Sequence, residues 1–400
     1  MPPRTAARLE VLPIGEDFDN ASSLREIVRG ARQCRCGVGH KDGPVEFCYT
    51  ALGSCEKLRE EILNGEYHAR KGTVVQIYRP KRRTANAPWF RDRTWQRSMC
   101  NNGVYRDLTA GFLYENIACQ KGKGQDLAFR ILIKFLQELH RTAPGKPVWG
   151  VHLDIRKYFP TTPQAEVKAL DRKRVRDERF LPYLDEIIGM QEDQRPEEEI
   201  AKDPFGRRGT GLGSQINQLN QIALLDELDH QLAEFCRYYI RYNDDFLILS
   251  HDKETVRRAK NTIDGYLKSK GLALQDKYGI FKAGNGFYFL RKRFIMSETG
   301  KITIRLHPKA LATERRTLRA LKRKVDSKER DMGAVRRHYQ SWIAGAEYAG
   351  DAPIREMDKF YTQLFRQKPE YKRKRRYLYG KDRRNAERQN QPSGTREESS

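Results

Sequence analysis

Arg241-Tyr242-Asn243-Asp244-Asp245-Phe246 is the stretch on which the fold turns. Aromatic and branched residues flank it, Tyr238-Tyr239-Ile240 before and Phe246-Leu247-Ile248-Leu249 after. Such runs predict two strands, with Asn243-Asp244 as the two-residue turn between them, because both residue types tolerate the left-handed backbone region. The result is a β-hairpin with adjacent carboxylates at its tip. The two charges repel each other, and burial would raise their pKa values. A bound divalent cation removes both penalties; an exposed acidic turn in water avoids them. Taken alone, the dipeptide leaves both readings open, and the exposed turn is the commoner of the two.

A second carboxylate lies upstream, at the end of Val148-Trp149-Gly150-Val151-His152-Leu153-Asp154. This run predicts a buried strand, and alternation puts Asp154 on the face opposite Trp149, Val151 and Leu153. One aspartate ending a central strand, followed by a hairpin pair, is the arrangement that two-metal phosphoryl transfer requires.

In these residues the chain resembles bacterial reverse transcriptases. Asp154-Ile155-Arg156-Lys157-Tyr158-Phe159 is similar to the family's first metal-binding motif, D-x-x-x-x-[FY], and Tyr242-Asn243-Asp244-Asp245 to its Y-x-D-D box. The resemblance runs from about residue 73 to 295 in the expected order. It implies that Asp154 and Asp244 bridge two Mg2+ ions, with Mn2+ as a substitute, and that Asp245 assists. It implies that Phe159 lies under the incoming sugar and rejects a 2′-hydroxyl. Arg79-Pro80-Lys81-Arg82-Arg83 stands where the family has its fingertip loop, so Lys81, Arg82 and Arg83 would grip the triphosphate; by itself the run reads as a solvated basic turn. Pro88 to Gln96 is similar to the segment P-x-x-x-D-R-x-x-Q, with Arg93 and Gln96 at its polar positions. Asn116 to Gly124 resembles the Gly-rich template-contact segment, which implicates Lys121, Gly122, Lys123 and Gly124: glycines let backbone approach phosphate and lysines neutralise it. Gly213 to Gln218 is similar to the family's G-x-x-x-S-Q, with Asn217 in place of the Ser, and implies substrate-binding roles for Gly213 and Gln218. Lys277 stands beside the position of the family's lysine that protonates pyrophosphate, although strict register falls on Tyr278. Phe287 to Arg291 resembles the primer-grip turn, with Arg291 in place of Gly.

Composition agrees with a polyanionic partner. The 400 residues carry 77 Lys and Arg against 53 acids, a net charge of +24. Nucleic acid is the commonest partner for such an excess, and an anionic membrane surface competes with it. The sequence has no apolar run of spanning length and no signal peptide, so the expectation is a cytoplasmic protein with reduced thiols and no membrane partner. Cys34, Cys36, His40, Cys48 and Cys55 cluster near the N-terminus, but lack the paired CxxC spacing of strong zinc sites, so ordinary thiols are expected.

The fold class expected is α+β: a right-hand polymerase fold with palm and fingers plus a C-terminal helical thumb. Residues 1–72 would form an N-terminal helical extension, 73–305 the fingers and palm, 306–368 the thumb, and 369–400 a basic, disordered tail. Periodicity predicts helices over 91–118, 125–141, 165–190, 215–235 and 253–270, with 191–208 as a surface loop. Too little chain remains for a ribonuclease H or endonuclease domain. The expected activity is RNA-directed DNA polymerisation from dNTPs. The template would be a structured noncoding RNA, the product DNA, and an accessory protein or a second copy a further partner. The expected role is anti-phage defence, with a diversity-generating retroelement or a retron as the alternative. A non-catalytic RNA-binding protein on a polymerase scaffold is the rival of another class, opposed by the complete aspartate set.

Overall fold

The computed structural model describes residues 15–77, 83–276 and 279–373. Arg79, Lys81, Arg82, Lys277 and the tail from residue 374 onward therefore lie outside the described residues.

The described strands form three antiparallel sheets. Strands β1 (Thr73–Ile77) and β2 (Arg83–Ala87) make a separate hairpin. Strands β3 (Trp149–Asp154), β4 (Tyr238–Tyr242), β5 (Asp245–Ser250) and β6 (Ile280–Lys282) form the central sheet in the order β4-β5-β3-β6. Strands β7 (Phe287–Phe289), β8 (Lys292–Met296) and β9 (Ile302–Leu306) form the third. Helices surround them, so the protein mixes helix and sheet.

The central sheet is buried on both faces, and strand alternation decides which residue goes where. Val151, Leu153, Phe246, Ile248 and Tyr239 pack against Val256, Ala259, Ile263 and Leu267 of the helix Lys253–Ser269. That helix repeats its apolar residues at three- and four-residue spacing, one face of an α-helix. Ile240, Leu247 and Leu249 point the other way, toward Phe129, Leu132 and Leu136 of the helix Gln125–Thr142 and toward Phe287, Phe289 and Phe294 of the third sheet. Gly150 sits where no side chain fits: a Cβ there would meet the Phe281 ring at 2.6 Å and Leu249 at 2.7 Å.

Two further cores flank the sheet. The helices Leu24–Arg35, Ala51–Leu63 and Phe90–Met99 enclose the fully buried Trp95. Ala310–Asp326, Met332–Ala346 and Asp351–Phe365 pack around Leu318, Val335, Tyr339, Ile354 and Met357. No described helix is long and apolar enough to cross a membrane.

Several elements differ from the periodicity reading. Helix 91–118 ends at Thr109, after a kink within Cys100–Val104 where Asn102 and Gly103 leave the helical backbone. The chain beyond it runs through turns, and Asn116 bridges to β4: Arg241 N donates to Glu115 O and Ile117 N to Arg241 O, both at 3.0 Å. The edge of β4 would otherwise leave backbone groups unpaired, and this segment satisfies them. Helix 215–235 breaks at Leu225 into Gln215–Leu224 and Asp226–Ala233, the second opening on Asp226, Glu227 and Asp229, which favour a helix start. The loop 191–208 holds a short helix, Glu197–Lys202, and is pinned by ion pairs of Arg195 with Asp193 and Asp203 and of Arg208 with Asp203. From there the chain runs alongside the first motif: Thr210 N donates to Phe159 O at 2.9 Å and Gly209 N to Thr162 O at 2.8 Å.

Candidate active site

The three aspartates meet at one end of the central sheet. Asp154, the last residue of β3, is the ladder partner of Asp245, the first residue of β5. Asp245 also pairs with Tyr242, so Asn243-Asp244 is the two-residue turn, with Asn243 in the left-handed region at φ 56°. Burial, then repulsion from Asp154 and Asp245, pushes the Asp244 carboxyl up to about 7, and a hydrogen bond with Asp154 adds to the rise. This is the electrostatic signature of carboxylates crowded without a compensating charge.

The turn is braced from beneath. Arg241 is wholly buried; its Nη1 donates to Asn243 O at 3.1 Å, its Nη2 to Ile222 O at 2.9 Å and its Nε to Asp229 Oδ1 at 2.6 Å. Asp229 is equally buried and also accepts from the Tyr239 hydroxyl. The ion pair was not foreseen; its signal in the sequence is a charge inside an otherwise apolar strand.

Asp245 has a partner on the site side. His152 Nε2 lies 3.0 Å from Asp245 Oδ1, and the imidazole stands edge-on to Phe289, with centroids 6.1 Å apart. His152 was also missed, although alternation along β3 puts it on the face of Asp154.

After Asp154 the chain turns sharply through Lys157, at φ 47°. Tyr158 is buried and donates its hydroxyl to Gln221 O at 2.7 Å, while Phe159 is half-buried. The segment after Leu272 runs along the same strand end: Arg156 N donates to Ala273 O and Gln275 N to Asp154 O, both at 2.8 Å.

Arg93, Gly213 and Gln218 come together in a cavity of about 320 Å³, lined also by Gln96, Arg97 and Cys119. Gln96 is almost wholly buried; its Oε1 accepts from Ser214 Oγ at 3.0 Å, and its Nε2 has no hydrogen-bond partner. Gly213 has φ 129°, and a Cβ there would meet Asn86 O at 2.6 Å, so the glycine allows this segment to close against β2. Asp92, the neighbour of Arg93, is structural: it accepts from the Tyr67 hydroxyl at 3.0 Å and from Arg70 N at 3.2 Å. The Cys119 thiol joins the cavity to the hairpin by donating to Asn243 Oδ1 at 3.5 Å.

The Gly-rich segment divides its two lysines. Lys123 Nζ donates to the carbonyls of Leu113, Tyr114 and Asn116 at 3.1, 3.3 and 2.7 Å, so this ammonium holds the loop together instead of facing outward. Lys121 is exposed, with its ammonium over the Tyr105 ring. Gly122 and Gly124, at φ 75° and 158°, form the bend between Lys121 and the helix that follows. The backbone of Arg83 starts β2. Leu290 and Arg291 form the turn between β7 and β8, with φ 44° and 64°, so Arg291 adopts the conformation that the resemblance assigns to glycine.

Among the described residues no group of three His, Cys, Asp or Glu converges as a ready metal cage, and the seven cysteines are free thiols. In the aspartate cluster the reason is visible: Asp154 and Asp244 face each other, while Asp245 is turned to His152. Oxygen-only donors suit Mg2+, which usually takes one or two carboxylates and completes its shell with water and substrate phosphates. The donor set therefore fits a hard divalent cation without a protein cage.

No family model matches the sequence, and no curated protein matches it. Among solved structures, the chain is similar to a Candida tropicalis apo telomerase truncated from its C-terminal domain, at 12% identity and TM-score 0.42, over 58% of this chain and 57% of that one. It is similar to the telomerase of Candida albicans with a TWJ fragment of telomeric RNA, at 11% identity and TM-score 0.45, over 78% and 58%. The corresponding Candida tropicalis complex gives 11% identity and TM-score 0.44, over 81% and 60%. The chain thus spans less than two thirds of each of these proteins. A likeness of this size assigns no activity.

Proposed function

We propose that the chain is an RNA-directed DNA polymerase of the reverse-transcriptase kind, organised as a right hand. The observation that carries the reading is the ladder pairing of Asp154 with Asp245, which brings Asp244 against Asp154. Three carboxylates that separate sequence motifs predicted to act together share one sheet end. Asp154 and Asp244 would hold two Mg2+ ions, with Asp245 beside them. Bound there, such ions would supply the Lewis-acid chemistry for activating a 3′-hydroxyl and stabilising a leaving pyrophosphate.

The chain's own residues supply position and exclusion. Arg241 holds the turn that carries Asp244. Tyr158 anchors the first motif in the core, and in this reading the ring of Phe159, the next residue, would crowd a 2′-hydroxyl. The cavity of Arg93, Gln96, Gly213 and Gln218 would take a nucleotide or a template base, since it is lined by two arginines, Arg93 and Arg97, and by the amide side chains Gln215 and Gln218. The basic fingertip, the exposed Lys121 and the basic C-terminal helices would follow phosphates, as the charge of +24 requires of some polyanion. A structured RNA serves as template in this reading, and anti-phage defence is the role proposed for it.

Asp244→Asn keeps the size of the side chain and removes the charge. On a primed RNA template with Mg2+ and dNTPs, it should abolish incorporation and leave RNA binding, measured by fluorescence anisotropy, within a few-fold of the parent. Unchanged incorporation would eliminate the assignment. Phe159→Ala should raise NTP use relative to dNTP use; an unchanged ratio would remove Phe159 as the sugar gate.

A further inference from the structure

We infer that His152 is a positioning residue that sets the direction of the Asp245 carboxylate and thereby the affinity of the aspartate cluster for divalent cations. The inference rests on the metal reading of that cluster and adds a residue outside its motifs.

His152 stands two residues before Asp154 on β3, so both side chains leave the same face of the sheet. Its Nε2 lies 3.0 Å from Asp245 Oδ1. With the carboxylate as acceptor, this bond takes the tautomer whose hydrogen is on Nε2. One oxygen of Asp245 is then committed, and the other is held in a fixed direction at the ladder end shared with Asp154. Without this bond Asp245 is free to rotate, and repulsion from Asp154 and Asp244 would turn it outward. Hydrogen bonds from outer partners to ligating groups do this in metal sites generally, and their loss costs roughly 10- to 100-fold in metal affinity.

The histidine is itself held. Phe289, fully buried at the end of β7, meets the imidazole edge-on with an interplanar angle of 87°. The hairpin that continues into the Leu290-Arg291 turn is tied down by Gln125 Nε2, which donates to Leu290 O at 3.2 Å. The His152 and Asp245 side chains are 32% and 29% exposed, so the pair is open enough for a cation to reach and sheltered enough for geometry to matter.

The test uses the full chain with His152→Leu, which removes the donor, and His152→Gln, whose side-chain amide restores one. Mn2+ binding is read from the electron paramagnetic resonance signal of the free ion, without nucleotide, and the Mg2+ midpoint of dNTP incorporation is measured in parallel. His152→Leu should weaken Mn2+ binding and raise the Mg2+ midpoint by about tenfold or more. Incorporation at saturating Mg2+ should stay near the parent's, and His152→Gln should recover most of the loss. In an Asp245→Asn background, His152→Leu should add nothing. Parent-like Mn2+ binding by His152→Leu, while Asp154→Asn abolishes it, overturns the positioning role alone. A full additional loss in the Asp245→Asn background overturns it too, and covers the case in which His152→Leu merely harms folding. A parent protein with no Asp154-dependent Mn2+ binding overturns the metal reading and this inference with it.

Discussion

Arg241 carries no chemistry, yet the candidate site depends on it. Its guanidinium and the Asp229 carboxylate are both wholly shielded from water, so each is tolerable only because of the other. Breaking such a pair from one side leaves an uncompensated buried charge and typically costs about 3–5 kcal/mol. Asp229→Ala should therefore lower stability by about that amount in urea unfolding, and incorporation should fail along with the turn. The double replacement Asp229→Leu with Arg241→Met should be less damaging than Asp229→Ala, because apolar substitutes of similar size remove both desolvation costs. A double variant as unstable as the single one would show that the hydrogen bonds to Ile222 and Asn243 matter more than charge balance. Lys123 shows the same economy on a smaller scale: burial lowers its pKa, and three carbonyls hold its ammonium in place.

The elements around the site place polar groups in unexpected depths. The helix Gln215–Leu224 buries Asn217, Asn220 and Gln221, and Asn220 Nδ2 donates at 3.1 Å to Asp171 Oδ2 of the neighbouring helix Gln164–Arg174. Burial pushes the Asp171 carboxyl from 3.8 up to about 8. Between those values the folded protein holds a proton that the unfolded chain releases, so this group's stabilising contribution is full below the unfolded pKa and is lost as pH rises through about 8. Asp171→Asn cannot ionise. The melting temperature of the variant relative to the parent should therefore be higher at about pH 9 than at about pH 5; a difference independent of pH would show that Asp171 titrates normally. In the central sheet, Gly150→Ala should cost about 1–3 kcal/mol by overpacking against Phe281 and Leu249. Trimming Phe281 to Leu in the same protein should recover part of that cost, and a purely additive pair would argue that strand backbone, not ring contact, is responsible.

Across the whole molecule, charge and architecture point to different things. The net charge of +24 is carried by a chain whose described residues form four apolar clusters. Charge of this size states that a polyanion is welcome but says nothing of sequence preference. RNA binding should accordingly fall steeply with salt: six to ten phosphate contacts would lose roughly a thousandfold or more between about 50 and about 200 mM. Affinity that is flat over this range would mean that the basic surface does not contact phosphate. With the proposed RNA partner held mainly through its phosphates, Asp244→Asn should leave the salt dependence unchanged while incorporation is lost.

The hairpin, its turn and the strand ending in Asp154 were legible in the sequence, because period-two alternation and turn chemistry act over a few residues. Asn243 in the left-handed region and the two-sided burial of β5 follow from those local rules. The extent of helix 91–118 was not legible, since the apolar pattern continues past Thr109 while the backbone there is recruited by the edge of β4. Nor were the partners of the site residues. His152 meets Asp245 across 93 positions, and Cys119 meets Asn243 across 124. Asp229 and Arg241 are closer in sequence, but only the packing of helix against sheet removes both from water. Local propensity placed the carboxylates on a strand end and a turn; only tertiary packing, which brings distant segments into one low-dielectric space, decided which groups hold them, orient them and crowd their charges.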